Sequence, residues 1–256
     1  MTKKIFFVSD FHLGIDALQT SSEREKKIVR WLNSVEDQIE ELYLVGDVFD
    51  YWFEYKRSIP KGYIRLLGKL AELRDKGVPI YFFNGNHDMW MFRYLEGEMD
   101  IPIYREPVIR ILKGKKFYIG HGDGLGPGDK GYKFIKKIFS NKFCQWAFGL
   151  LHPDIGLALM RFFSAKSRIY MGDEDPFKDP GREWLVQFCE DHLKNHVIDY
   201  YIFGHRHLPI YFTLSDGKSK YINLGEWMFA SSYGEWDGIE FKLKFYESEI
   251  NTIYGT

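Results

Sequence analysis

Short apolar runs alternate with stretches of helical spacing through the first half of the chain, and that alternation predicts an α/β fold. Ile5–Ser9, Leu42–Val45 and Val78–Phe83 read as buried strands. Between the first two, Ile28, Trp31, Leu32, Val35 and Ile39 recur at helical spacing, and Ser22 with Glu25 takes the positions of a capping box. A second helix is expected around Tyr63–Lys76, with Ile64, Leu67, Leu70 and Leu73 inward and Gly77 as its stop. Val108–Leu112 and Lys116–Gly120 flank Lys113-Gly114-Lys115 as a hairpin.

From about Gly126 to Met171 the pattern changes. Phe134, Ile135, Ile138 and Phe139 form one apolar stripe; Phe143, Trp146, Ala147, Leu150 and Leu151 form another, and Leu157–Phe163 is apolar nearly all round. Lys130, Lys133, Lys136, Lys137, Lys142, Arg161, Lys166 and Arg168 are set against a single acid, Asp154, between Lys130 and Tyr170. The segment reads as a helical insertion, about 126–171, within one domain that takes in residues 1–256. Its stripes either pack inward as a small subdomain or serve a surface role. A helix bearing Trp184, Leu185, Phe188 and Leu193 follows. Tyr200–Phe203, Pro209–Leu214, Lys220–Leu224 and Gly238–Tyr246 read as strands.

Composition adds little to this picture. Charged residues are 28% and hydrophobic ones 45% of 256, ordinary for a globular protein, and the net charge of -1 gives no overall steering toward nucleic acid or an anionic membrane. Cys144 and Cys189 sit in apolar helical patterns and read as reduced thiols. The N-terminal stretch lacks the apolar core of a signal peptide and no apolar run reaches transmembrane length, so a cytoplasmic protein is expected.

The candidate chemistry sits where strands end. Of eight histidines, His12, His87, His121, His205 and His207 follow predicted strands in glycine- or carboxylate-bearing turns, whereas His152, His192 and His196 read as ordinary helix or loop residues. The segments are Asp10-x-His12, Gly46-Asp47-x-x-Asp50, Gly85-Asn86-His87-Asp88, Gly120-His121 and Gly204-His205-x-His207. Each is weak alone. Together they place polar groups at five strand ends, which costs stability without a shared ligand. A carboxylate can bridge two hard cations, so Asp47 is the candidate bridge and the other segments supply the remaining ligands.

In this order the five segments resemble the calcineurin-like metallophosphoesterases. The resemblance implies an α/β, αββα sandwich of two mixed sheets with a helical cap insertion, and two divalent metal ions, often Mn2+. It implies Asp10, His12 and His207 on one metal, Asn86, His121 and His205 on the other, and Asp47 between them. It also implies that His87 contacts phosphate or protonates the leaving group with Asp50 orienting its ring. Asp88 and Asp123 read as supporting groups.

Gly120–Gly124, the following Asp129-Lys130-Gly131-Tyr132, the aromatic insertion and Arg161–Arg168 further resemble the UDP-2,3-diacylglucosamine pyrophosphohydrolases of lipid A synthesis. That resemblance implies a lipid-linked UDP-sugar substrate, with UMP and a lipid sugar phosphate as products. It places Asp123, Ser164, Lys166 and Arg168 toward substrate. It also implies peripheral contact with an anionic membrane surface on the cytoplasmic side, and no nucleic-acid partner. The best-known branch carries Arg where this chain has His87, and Glu where it has Asp50. A broad phosphoesterase acting on nucleotides or phosphoproteins is the alternative reading.

Overall fold

The computed structural model describes residues 2–128, 130–170 and 177–256, with only the backbone described at residue 130 and residues 165–170. The first sheet holds β1 (Lys4–Val8), β2 (Ile39–Val45), β3 (Ile80–Phe83), β4 (Ile103–Tyr104), β10 (Ser232–Trp236) and β11 (Phe241–Phe245), in the order β11-β10-β1-β2-β3-β4. The second holds β5 (Val108–Leu112), β6 (Lys115–Ile119), β7 (Tyr200–Phe203), β8 (Pro209–Thr213) and β9 (Lys220–Leu224), in the order β5-β6-β7-β9-β8. Helices α1 (Ser21–Val35) and α2 (Ile64–Asp75) cover the outer face of the first sheet, and α7 (Trp184–Leu193) covers that of the second. The short α3 (Tyr94–Met99) precedes β4.

This is the expected αββα sandwich, and the side-chain period of two explains it. Along β1, Phe6 and Val8 point into the core shared with α1 and α2, while Ile5 and Phe7 point into the core between the sheets. A strand buried on both faces has to be apolar at every position. Within each sheet the central strands run parallel: β1-β2-β3-β4 in the first and β6-β7-β9 in the second. Their C-terminal ends therefore open on one common edge, the usual place for a site in an open α/β sheet.

Several boundaries differ from expectation for identifiable reasons. The capping box of α1 is Thr20 with Glu23, not Ser22 with Glu25: Glu23 N donates to Thr20 Oγ1 (3.2 Å) and Thr20 N to Glu23 Oε2 (2.9 Å). Glu25 instead accepts from Arg65 N (2.7 Å) and Leu66 N (3.1 Å), capping α2 from a neighbouring helix. Ile39 opens β2 rather than closing α1, and Ile64 is exposed while Leu66 is buried. Strand β10 was absent from the predicted set, and β11 begins at Phe241, after the turn at Gly238.

Among the described residues three α-helices lie between β6 and α7: α4 (Lys130–Phe139), α5 (Lys142–Phe148) and α6 (Pro153–Tyr170). They dock on the sandwich through Phe139 and Phe148, which pack on Trp90 at 5.3 and 4.7 Å between ring centroids. Trp90 Nε1 also donates to Phe139 O (2.7 Å). Most of the apolar stripe does not turn inward: Phe143 is 70% exposed, Trp146 59% and Phe162 62%. Among the described residues no helix is long and apolar enough to cross a membrane.

Candidate metal centre

Asp10 follows β1, Asp47 follows β2, Asn86 and His87 follow β3, His121 follows β6, and His205 and His207 follow β7, so two sheets deliver these side chains to one edge. Asp10, His12, Asp47, His205 and His207 all hold positive φ, between 45° and 67°. None is glycine, and each costs on the order of 1 kcal/mol or more relative to ordinary backbone. Such strain gathers where the surrounding structure over-determines a functional geometry.

Two groups of ligand-type atoms result. In the first, atoms of Asp10, His12, Asp47 and His207 lie within 4.8 Å of one another. His12 Nε2 and His207 Nε2 are 3.1 Å apart, and Asp10 Oδ1 is 3.6 and 3.2 Å from them. In the second, Asn86 Oδ1 lies 3.2 Å from His121 Nε2 and 3.0 Å from His205 Nδ1. Asp47 joins the two through one oxygen rather than both. Its Oδ2 is 3.3 Å from His121 Nε2 and 3.8 Å from His12 Nε2, while Oδ1 accepts His87 N–H at 2.8 Å.

The arrangement suits cations. Among the described residues none donates a hydrogen bond to the buried Asp10 Oδ1. His12 Nδ1 faces the Asp50 carboxylate (3.3 Å) and His121 Nδ1 the Val45 carbonyl (2.9 Å), acceptors that fix the proton there and leave the Nε2 lone pairs aimed into the site. Burial pushes the Asp47 carboxyl up, but the facing His121 and His87 rings outweigh it and hold it well below the usual carboxylate range. Asp10 is likewise raised by burial and lowered further by His12 and His207. Burial opposes charge on His121, yet Asp47 holds its pKa well above the ordinary value. Buried carboxylates that keep their charge and draw a proton onto a buried ring mark a site short of positive charge.

His87 stands beside the first group, its ring 4.9 Å from that of His12. Burial pushes its pKa down to about 4. The expected dyad with Asp50 takes a different form. His87 Nδ1 donates to the Asp50 main-chain carbonyl (2.9 Å), while the Asp50 carboxylate lies 3.7 Å from His87 and turns toward His12. Ser164, from α6, is buried here: its hydroxyl donates to Asp50 Oδ2 (2.7 Å) and lies 3.2 Å from His87 Nδ1. Asp123 accepts from Tyr132 Oη (2.6 Å) and pairs with Lys136 (2.6 Å), tying α4 to the site edge. The side chains of Lys166 and Arg168 lie outside the described residues.

Some supporting residues escaped the sequence reading. Arg24 is fully buried in α1 and donates to the carbonyls of Phe11 (2.7 Å), His12 (2.6 Å) and Ile15 (2.6 Å), clamping the loop that carries Asp10 and His12. Its signal was an arginine four residues before Ile28, in register with the apolar stripe. Asp88, by contrast, was expected as a supporting group, and it accepts from Val48 N (2.8 Å), Phe49 N (3.3 Å) and Gly85 N (2.7 Å), knitting two of the site's loops together. Glu226 accepts from Phe229 N (2.9 Å) and Ala230 N (2.8 Å), shaping a loop whose Trp227 N donates to Asp10 O (3.1 Å).

A sequence profile for the calcineurin-like phosphoesterases matches residues 3–209. The chain belongs to that family. It is therefore a metal-dependent hydrolase. Among curated relatives, a protein of Porphyromonas gingivalis (strain ATCC BAA-308 / W83) named UDP-2,3-diacylglucosamine hydrolase is 36% identical, over 96% of this chain and 99% of its own. One of the same name from Hamiltonella defensa is 30% identical over 79% of this chain and 76% of its own. Among solved structures, an archaeal phosphodiesterase aligns over 94% of this chain and 99% of its own, with 16% identity and a TM-score of 0.46.

Proposed function

We propose that this calcineurin-like phosphoesterase hydrolyses the phosphoric anhydride of UDP-2,3-diacylglucosamine to UMP and 2,3-diacylglucosamine 1-phosphate, a step of lipid A synthesis. The observation that carries the reading is the pair of ligand groups sharing Asp47 Oδ2 beneath helices whose apolar stripe is exposed. The near full-length relative named for that activity supports it.

Asp10, His12 and His207 would hold one divalent ion, Asn86, His121 and His205 a second, and Asp47 both. The mixed nitrogen and oxygen donors suit manganese, iron or zinc better than magnesium or calcium, and manganese is the ion we propose. When bound, two such ions supply an activated water and neutralise phosphoryl charge. The chain's own residues do the rest. His87 keeps a proton on Nδ1 for the Asp50 carbonyl, which turns Nε2 toward the phosphoryl oxygens. The negative charge of a diphosphate opposes the burial that keeps His87 neutral and so favours its imidazolium. The leaving group is itself a phosphate and needs little protonation, so the role of His87 is chiefly to offset phosphoryl charge. Ser164 and Asp50 hold that ring in place.

The helices α4–α6 form the cap in this reading and take the acyl chains. Each buried methylene is worth about 0.8 kcal/mol, so a few buried carbons per chain give a large preference. With Mn2+ present, UDP-diacylglucosamine should exceed a UDP-sugar lacking acyl chains by at least ~100-fold in kcat/KM, about 3 kcal/mol. Equal turnover of the two, or of a chromogenic phosphodiester, would overturn the substrate assignment.

The same apolar surface, with Lys137 and Lys142 beside it, also supports a peripheral position on the inner face of an anionic membrane. The protein should sediment with vesicles containing phosphatidylglycerol and be released by salt. Equal binding to purely zwitterionic vesicles would count against the electrostatic half of that proposal.

A further inference from the structure

A cavity of about 400 Å³ adjoins the centre at His207, and none of its lining residues belongs to α4–α6. His207 and Glu226 line it at the site, and Met228, Phe229, Ile250, Thr252 and Tyr254 make up most of the rest. Its size falls within the ~300–1,000 Å³ range of small-molecule clefts. Phe229 and Ile250 are 47% and 48% exposed there, large apolar side chains with one face unpacked.

The order of rings across the site gives this cavity a direction. The His12 ring lies 4.9 Å from the His87 ring and 4.9 Å from the His207 ring, at 86° and 74° to them. Ser164 brings the cap to His87, while the cavity begins at His207. Contacts therefore run from Ser164 of the cap through His87 and His12 to His207 and the cavity. A diphosphate with its lipid end under the cap beside His87 and running past His12 reaches His207, where the cavity opens.

We infer that the cavity behind His207 is the nucleoside subsite, and that it takes the uridine of the substrate with the base against Phe229. This rests on the proposed function, which supplies a substrate with hydrocarbon at one end of a diphosphate and a nucleoside at the other. A pyrimidine has two apolar faces and a polar edge. The lining matches that pattern, since Phe229 offers a ring for stacking and Thr252 and Tyr254 are hydroxyl-bearing residues of the same lining. The Glu226 carboxylate holds the backbone of Phe229 and Ala230 in place, so the ring is presented by a braced loop.

The test uses the full chain with Mn2+ and two competitors, UMP and inorganic phosphate. In the unmodified protein UMP should inhibit at least ~10-fold more tightly than phosphate, the ratio expected when stacking and burial add to phosphate binding. Phe229→Ala should raise the KM for the lipid-linked UDP-sugar by about tenfold more than it lowers kcat, and should raise the UMP inhibition constant to that of phosphate. Ile250→Trp, on the exposed rim, should narrow the cavity and weaken UMP in the same way without touching buried packing. Equal inhibition by UMP and phosphate in the unmodified protein would overturn the subsite. So would an unchanged UMP-to-phosphate ratio in both variants. Should the lipid substrate not be turned over while UMP still outcompetes phosphate against a chromogenic phosphodiester, the substrate assignment fails and the nucleoside subsite stands.

Discussion

Asp47→Asn should yield a folded chain that has lost at least about 10³-fold in kcat, some 4 kcal/mol of transition-state stabilisation, together with most of its bound metal. The reason lies in a single atom. Asp47 Oδ2 is the point on which both ligand groups converge, 3.3 Å from His121 Nε2 and 3.8 Å from His12 Nε2. Asparagine would keep its carbonyl oxygen on the His87 N–H, because that bond needs an acceptor, and so would turn its amide N–H groups into the space between the histidines. Donors there repel a cation and the bridging charge is gone. Two readouts separate this from unfolding. Elemental analysis should fall from two ions per chain to one or fewer. Added Mn2+ should raise the melting temperature of the unmodified protein by mass action but not that of the variant. His87→Ala is the contrast: both ions retained, kcat reduced by about 10²-fold, as expected for one lost charge-stabilising group. Full activity in Asp47→Asn would remove the bridging assignment.

The parallel core and its edge could be read from the sequence because burial on both faces leaves no choice but an unbroken apolar run. A polar cluster directly after such a run has nowhere to be except the sheet edge. Strand β10 shows where that logic stops. Ser232, Gly234 and Glu235 are all buried in it, and Glu235 is held by Lys4 (3.2 Å) and Lys244 (2.7 Å) from the strands on either side. Polar residues satisfied by neighbours distant in sequence leave no local apolar signature. The capping of α1 failed for another reason. Two Ser/Thr–x–x–Glu spacings overlap there, and only the packing of α2 against α1 assigns Glu25 to a different helix.

Site detail divides the same way. Residue types and spacing were enough to gather Asp10, His12, Asp47, Asn86, His121, His205 and His207 as candidates. They could not say which atom of each is used. Asp50 stands three residues after Asp47, but the bend of that loop turns its carboxylate to His12 and its carbonyl to His87. Periodicity likewise found the stripes of the insertion without saying which way they face, since an amphipathic helix has the same pattern whether its apolar side meets a core or a ligand.

Alanine at Gly85 or Gly204 should cost about 10²-fold in activity, although neither position needs unusual backbone. A Cβ built on Gly85 would fall on the carboxylate and amide of Asp47, and one on Gly204 would fall on Asp10 Oδ2 and Ser9. Gly46 is restricted twice over, since its Cβ would enter the His121 ring and its φ of 86° is strained for an L residue. The glycines of Gly-Asp, Gly-Asn-His-Asp and Gly-His-x-His thus do more than turn the chain. Each leaves room for a ligand-type side chain from a different segment, so the loops interlock, and moving one displaces its neighbour's donor. A shift of about 1 Å in such a donor is enough for a ~100-fold loss. Gly68 in α2 is the control, with nothing within 4 Å of its would-be Cβ. Gly68→Ala should stabilise the chain by up to about 1 kcal/mol by removing a helix-interior glycine, raising the melting temperature by some 2–4 °C with kcat unchanged. Metal content, kcat and melting temperature measured on Gly85→Ala, Gly204→Ala and Gly68→Ala would decide the matter. If the first two kept full metal and activity, these glycines would be turn residues only, and the tight interlocking of the centre would be wrong.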